Sequence, residues 1–219
     1  MESHNLAALI DHTCLKPDAT EAEIERLCAE ALQYGFAAVC VNPYWIPRVS
    51  ARLGEGLVKP IAVVGFPLGA NRTASKAYEA HDAIDKGARE IDMVINLGAL
   101  KGGDFKAVLE DIESVVHRAA PYPVKVILET CLLDEVEKRL GCQLAVDGGA
   151  HFVKTSTGFS TGGSTLEDVR LMREVVGSGY GVKASGGIKS REFALGLLQA
   201  GANRLGCSAS VALILSEKI

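Results

Sequence analysis

Apolar residues along the chain gather into short β-branched runs, separated by longer stretches in which hydrophobic positions recur at helical spacing. The runs cover residues 9–12, 37–41, 61–65, 91–95, 124–129, 151–154, 180–184 and 203–206, and each reads as a strand. Between them, Asp18-Ala-Thr-Glu21 carries a helix start signal, followed by Ile24, Leu27, Cys28 and Leu32 on one face and Gly35 as the stop. The same logic predicts helices over 75–86, 105–119, 134–147, 165–176 and 190–200, each ended by a nearby glycine or by Pro121. The phrases Lys86-Gly-Ala88, Gly148-Gly-Ala150 and Ala200-Gly-Ala202 recur at helix-to-strand joints.

Eight strand runs alternating with helices predict an α/β fold: a single-domain (β/α)8 TIM barrel spanning residues 1–219, with a short N-terminal segment. An open doubly wound sheet uses the same alternation. Its dinucleotide-binding form is disfavoured, because no Gly-x-Gly-x-x-Gly joins the first strand to its helix.

Composition narrows the partners. With 48% hydrophobic and 23% charged residues and a net charge of −4, the chain reads as a globular enzyme without the basic footprint of a nucleic-acid binder. Met1-Glu-Ser-His-Asn5 lacks a basic leader, and no apolar stretch reaches the roughly 20 residues of a membrane span. No membrane partner and a cytoplasmic location are therefore expected. The six cysteines and five histidines share no metal-ligand spacing, so neither metal nor cofactor is expected. His81 and His117 fall in helical stretches, and Trp45, between Pro43 and Pro47, reads as loop packing.

The informative departures from apolarity are charges inside strand runs. Lys154 and Lys183 end the sixth and seventh runs, where desolvating an ammonium is costly unless a partner or a lowered pKa relieves it. In a barrel, reactive groups sit at the C-terminal strand ends, so Asp11, Cys40, Asn42, Asp92, Asn96, Lys125, Glu129, Lys154 and Lys183 should converge on one pocket. A free lysine has a pKa near ~10.4. Burial, and a second ammonium on Lys183, would free the Lys154 amine for Schiff-base formation, with Asp92 moving protons. A lone strand lysine could equally snorkel or pair with Asp92; two at matching strand ends favour catalysis. Lys125, early in its run, reads as structural or electrostatic support, and Cys40 as a buried thiol that could also line the pocket. Phosphate recognition is expected from Thr155-Ser-Thr-Gly158, Ser185-Gly-Gly-Ile188 and Gly206-Cys-Ser-Ala-Ser210, whose glycines let amides approach an anion.

These residues, together with Ile10-Asp-His-Thr-Cys-Leu-Lys-Pro17, Val64-Gly-Phe-Pro-Leu-Gly69, Glu90-Ile-Asp-Met-Val-Ile95, Lys125-Val-Ile-Leu-Glu-Thr130, Phe152-Val-Lys-Thr-Ser-Thr-Gly158 and Val182-Lys-Ala-Ser-Gly-Gly-Ile188, closely resemble the deoxyribose-phosphate aldolase family nearly end to end. The resemblance implies reversible, metal-independent cleavage of 2-deoxy-D-ribose 5-phosphate to D-glyceraldehyde 3-phosphate and acetaldehyde in deoxynucleoside catabolism. It also implies a homodimer or higher homo-oligomer. It matches Lys154 to the Schiff-base lysine, Lys183 to the second lysine and Asp92 to the acid/base carboxylate. Asp11 matches a carboxylate at the pocket edge, and Thr157, Gly158, Gly186, Gly187, Gly206 and Ser208 fall at substrate-binding positions.

Three departures stand out. Ser208 is followed by Ala209 where many relatives pair two serines, and Phe159 occupies a position where some carry lysine, with Lys189 left to supply charge. Leu215-Ser-Glu-Lys-Ile219 lacks a tyrosine that assists proton transfer in some relatives, so the mechanism is expected to rest on Lys183, Asp92 and water. Two other readings stay open: a Schiff-base aldolase for another sugar phosphate, and a non-catalytic barrel that binds one.

Overall fold

Eight short parallel strands follow one another in chain order and close on themselves, β8 pairing with β1. They are β1 (Ile10–Cys14), β2 (Ala38–Val41), β3 (Lys59–Val64), β4 (Glu90–Val94), β5 (Val124–Ile127), β6 (Phe152–Lys154), β7 (Gly181–Ser185) and β8 (Arg204–Cys207). In this computed structural model residues 6–216 are described. The short N-terminal segment, His4 and the last three residues of the tail lie outside the described residues.

The helices are α1 (Glu21–Tyr34), α2 (Ile46–Leu53), α3 (Thr73–Asp85), α4 (Leu97–Lys101), α5 (Phe105–Ala119), α6 (Glu135–Asp147), α7 (Leu166–Val176), α8 (Arg191–Gln199) and α9 (Ser210–Leu215). Their starts follow local chemistry. Thr20 and Glu23 form a capping box on α1, Asp134 and Glu137 one on α6, and the side chains of Asp104, Thr165 and Ser190 accept first-turn amides, each satisfying donors that have no partner within the helix.

Two expectations need correction. Trp45 is not loop packing: it ends a 3-10 turn, Pro43–Trp45, that runs into α2 with a proline in its first turn, the position proline tolerates because it has no amide to leave unpaired. Leu32 is 41% exposed, and the buried stripe of α1 instead uses Ile24, Leu27, Cys28 and Ala31.

The apolar residues divide into two tiers. The larger packs the outer faces of the strands against the helices, with Ile10, Val39, Ala62, Ile91, Val126, Val153, Val182 and Leu205 among its members. The smaller lies inside the barrel: Leu15, Ala38, Cys40, Ile61 and Val63, with Phe66 packed on it. Because strand side chains alternate between faces, strands covered on both sides read as nearly unbroken apolar runs. Apolar filling on the β2–β3 side leaves the rest of the interior to charged groups.

One buried ion pair stands out beyond that interior. Lys76 on α3 is fully buried, and its Nζ donates to Asp111 on α5 at 2.5 Å and to the Val94 carbonyl at 2.9 Å. Replacing Lys76 with alanine leaves the Asp111 carboxylate buried without its cation, and we expect a loss of about 3–5 kcal/mol in urea unfolding. Lys76→Met combined with Asp111→Leu should recover most of it.

Candidate active site

Strand register brings the charged residues together. Asp92 lies opposite Lys125, Ile127 opposite Lys154, Lys154 opposite Lys183, and Asp11 opposite Gly206. Asp11, Asp92, Lys125, Lys154 and Lys183 are all buried, at 0–3% exposure, and their side chains meet inside the barrel. Asp92 Oδ2 accepts hydrogen bonds from Lys154 Nζ and Lys183 Nζ, each at 2.7 Å, while its Oδ1 lies 3.1 Å from Lys125 Nζ. Lys183 Nζ also reaches Asp11 Oδ2 at 2.5 Å. Arg204 bridges Asp11 at 2.6 Å and Glu90 at 3.1 Å, and Glu90 closes the circuit with a very short ion pair to Lys125.

This network distinguishes the two lysines. Three cations (Lys125, Lys183, Arg204) face three anions (Asp11, Glu90, Asp92), and a charged Lys154 would be a fourth cation without a matching anion. Burial pushes the Lys154 amine below its ordinary value, and the Lys183 ammonium adds to this against the pull of Asp92. Burial acts on Lys183 too, but Asp11 and Asp92 together outweigh it and hold its ammonium above the usual lysine range. Burial would raise the Asp92 carboxyl, yet Lys125, Lys154 and Lys183 hold it well below the carboxylate range. Asp11, likewise opposed by burial, is lowered by Lys183, Arg204 and Lys125. The result is one amine tuned toward neutrality beside an ammonium and a carboxylate that both stay ionised.

The reactive face opens upward. A cavity of about 500 Å³ is lined by Lys154, by Thr157, Gly158 and Phe159 after β6, by Ser185 to Lys189 at the end of β7, by Gly206 to Ala209 at the end of β8, and by Thr13 to Lys16 at the end of β1. Lys154 lines it, whereas Asp92, Lys183 and Asp11 lie beneath. Asp11 is thus not at the pocket edge: it is fully buried, with its oxygens engaged by Lys183 and Arg204.

The predicted loop residues Gly158, Gly186, Gly187, Gly206 and Ser208 do line the cavity. Gly186 and Gly187 take φ of +84° and +76°, the left-handed region that favours glycine. Gly206 has a different reason: a Cβ there would lie 2.9 Å from Ser185 Cβ and 3.1 Å from Lys183 Cε, so its bareness gives Lys183 room. Two hydroxyls expected to reach a ligand are committed elsewhere. Thr155 Oγ1 donates to the Ser185 carbonyl at 3.0 Å, and the Thr157 hydroxyl gives its proton to Glu129. Lys16 and Lys189 both line the cavity as exposed cations, and the Phe159 ring meets Phe66 edge-on, centroids 5.3 Å apart.

Several strand-end residues do not join the site. The Asn42 side chain donates to the Leu15 carbonyl at 3.2 Å, and Asn96 caps α4 through the Ala99 amide at 3.1 Å. Cys40 is fully buried in the inner apolar tier, and burial, followed by the charge of Asp92, pushes its thiol up to about 11, a range in which the nucleophilic thiolate is scarce. Glu90 and Arg204 were missed, although they carry the signal that singled out the lysines, a charge within or beside a strand run.

Comparisons with known proteins place the chain among aldolases. A profile for DeoC/LacD family aldolases matches residues 6–208. The chain is 53% identical over 214 residues to a deoxyribose-phosphate aldolase of Brevibacillus brevis, covering 98% of this chain and 97% of that protein. It is 55% identical over 205 residues to one of Streptococcus suis, covering 94% and 93%. A tetrameric deoxyribose phosphate aldolase structure from Aeropyrum pernix superimposes with a TM-score of 0.93 at 35% identity, over 99% of this chain and 92% of that one.

Proposed function

The chain belongs to the DeoC/LacD family of aldolases, and from that premise we propose that it cleaves 2-deoxy-D-ribose 5-phosphate reversibly to D-glyceraldehyde 3-phosphate and acetaldehyde through a Schiff base on Lys154. The observation that carries this reading is the asymmetry of the two buried lysines: Lys154 faces the cavity with a lowered pKa, and Lys183 beneath it stays charged.

The neutral Lys154 amine adds to the C1 aldehyde of the open-chain sugar. The carbinolamine loses water with a proton from a neighbouring acid, and the resulting iminium is an electron sink. Removal of the C3 hydroxyl proton then breaks the C2–C3 bond; its electron pair moves into the iminium, leaving an enamine on Lys154 and free glyceraldehyde 3-phosphate. Protonation of the enamine carbon restores an iminium, and addition of water releases acetaldehyde and the amine. Two groups serve the proton steps. Lys183 holds a proton between Asp11 and Asp92, and Asp92, bonded to both lysines through one oxygen, keeps its charge next to the developing iminium. Water entering from the cavity carries protons between these groups and the substrate. Lys16, Lys189 and the loop amides at Gly158, Gly186, Gly187 and Ser208 suit the phosphate end.

The test is a coupled assay for glyceraldehyde 3-phosphate, comparing 2-deoxyribose 5-phosphate with ribose 5-phosphate and ketose phosphates. Preferential turnover of the deoxy sugar is expected. Turnover of another sugar phosphate alone would move the substrate assignment, and binding without turnover that survives Lys154→Met would make the barrel a sensor. The tetrameric relative supports assembly of this chain into a homodimer or larger oligomer. Among the described residues no helix is long and apolar enough to cross a membrane, in keeping with a cytoplasmic enzyme.

A further inference from the structure

Glu129, just beyond β5, takes no part in the steps above, yet it bonds Thr157, which lines the cavity. It is buried, and at φ 55° and ψ 61° it is the one non-glycine residue with positive φ among the described residues. Backbone held in that region persists where the surroundings enforce it, often at functional sites. Its carboxylate receives the Thr157 amide at 3.2 and 3.4 Å and the Thr157 hydroxyl in a very short hydrogen bond. The same Thr157 oxygen accepts the Phe159 amide at 3.0 Å. Among the described residues the carboxylate makes no ion pair, so its acceptor capacity goes to this one turn. A buried carboxylate is costly unless hydrogen-bonded, and Thr157, Gly158 and Phe159 all line the cavity.

We propose that Glu129 is a positioning residue: through Thr157 it fixes the turn 157–159, so that Gly158 and Phe159 form a set wall against the phosphorylated part of the substrate. The proposal rests on the aldolase reading. It separates Glu129 from the chemistry at Lys154, because the Lys154 amine bonds Asp92 whereas the Glu129 carboxylate bonds Thr157.

Steady-state kinetics of Glu129→Gln, Thr157→Val, their combination and Thr157→Ser test this, with 2-deoxyribose 5-phosphate and unphosphorylated 2-deoxyribose as substrates. Glu129→Gln puts an amide against the two Thr157 donors. KM for the phosphorylated sugar should rise about tenfold, with kcat within about twofold and little change in KM for the unphosphorylated sugar. Thr157→Val should do the same, the double variant no more than either alone, and Thr157→Ser should restore wild-type values. Losses that multiply in the double variant, or a fall in kcat shared by both substrates with KM unchanged, would overturn the proposal. If Glu129→Gln does not fold, Thr157→Val against Thr157→Ser decides it by the same KM split. Failure of the wild type to cleave the phosphorylated sugar would overturn the aldolase reading together with this one; normal wild-type turnover with unaltered variants would overturn this one alone.

Discussion

Lys154→Met is expected to lower aldol cleavage by at least about 10⁴-fold, because it deletes the amine proposed to form the covalent intermediate. The substitution should leave the fold intact. Methionine matches the length of the lysine stem, and the remaining interior charges, Lys125, Lys183 and Arg204 against Asp11, Glu90 and Asp92, balance without it. A thermal midpoint close to wild type alongside lost turnover is the expected pair of measurements. Lys154→Arg should be equally inactive, since a guanidinium stays protonated, and it should be less stable, because it forces a fourth cation into that interior. If Lys154→Met kept substantial activity, another lysine would carry the imine.

The second large effect is expected for Asp92→Asn, a loss of about 10²–10⁴-fold in kcat. The asparagine keeps the shape but removes the anion that both Lys154 and Lys183 bond through Oδ2. Lys183 still has Asp11 and Lys125 still has Glu90, so the network should persist while the proton path at Lys154 does not. The pH profile carries an independent sign. Asp92 is the main group that raises the Lys154 pKa against burial and Lys183; without it that pKa falls further, and the acid limb of the rate profile, where Lys154 becomes protonated, moves to lower pH. Reduced kcat with an acid-shifted limb fits an electrostatic and proton-transfer role. Rates comparable to wild type would refute it. Removing residues 217–219 is expected to cost far less.

How much of this was legible in the sequence follows from the physics of each part. All eight strands were, because parallel strands covered on both faces must be apolar along their length, and the six longer amphipathic helices, that after Asp18 and those over 75–86, 105–119, 134–147, 165–176 and 190–200, repeat their pattern over enough turns to be recognised. Helices α2, α4 and α9 were not, since five to eight residues give barely two turns of periodicity, and α2 hides behind its prolines. Lys154, Lys183 and Asp92 stood out because a charge in an apolar run conflicts with its surroundings. Arg204 and Glu90 conflict in the same way but begin their strands, where exposure is the ordinary explanation. That the Lys183 pKa is raised while that of Lys154 is lowered depends on Asp11, which pairs with Lys183 from β1, 172 positions away in the chain and is connected to it only by closure of the barrel. The Thr157 hydroxyl looked free for a ligand because its acceptor, Glu129, comes from the preceding strand end.

The central claim is that Lys154 is the covalent nucleophile, and borohydride reduction in the presence of acetaldehyde, followed by peptide mass mapping, tests it most directly. A reduced ethyl adduct on Lys154, absent from Lys154→Met, is the predicted result. An adduct on Lys183 or Lys125 instead, or no adduct from an enzyme that turns over substrate, would contradict it.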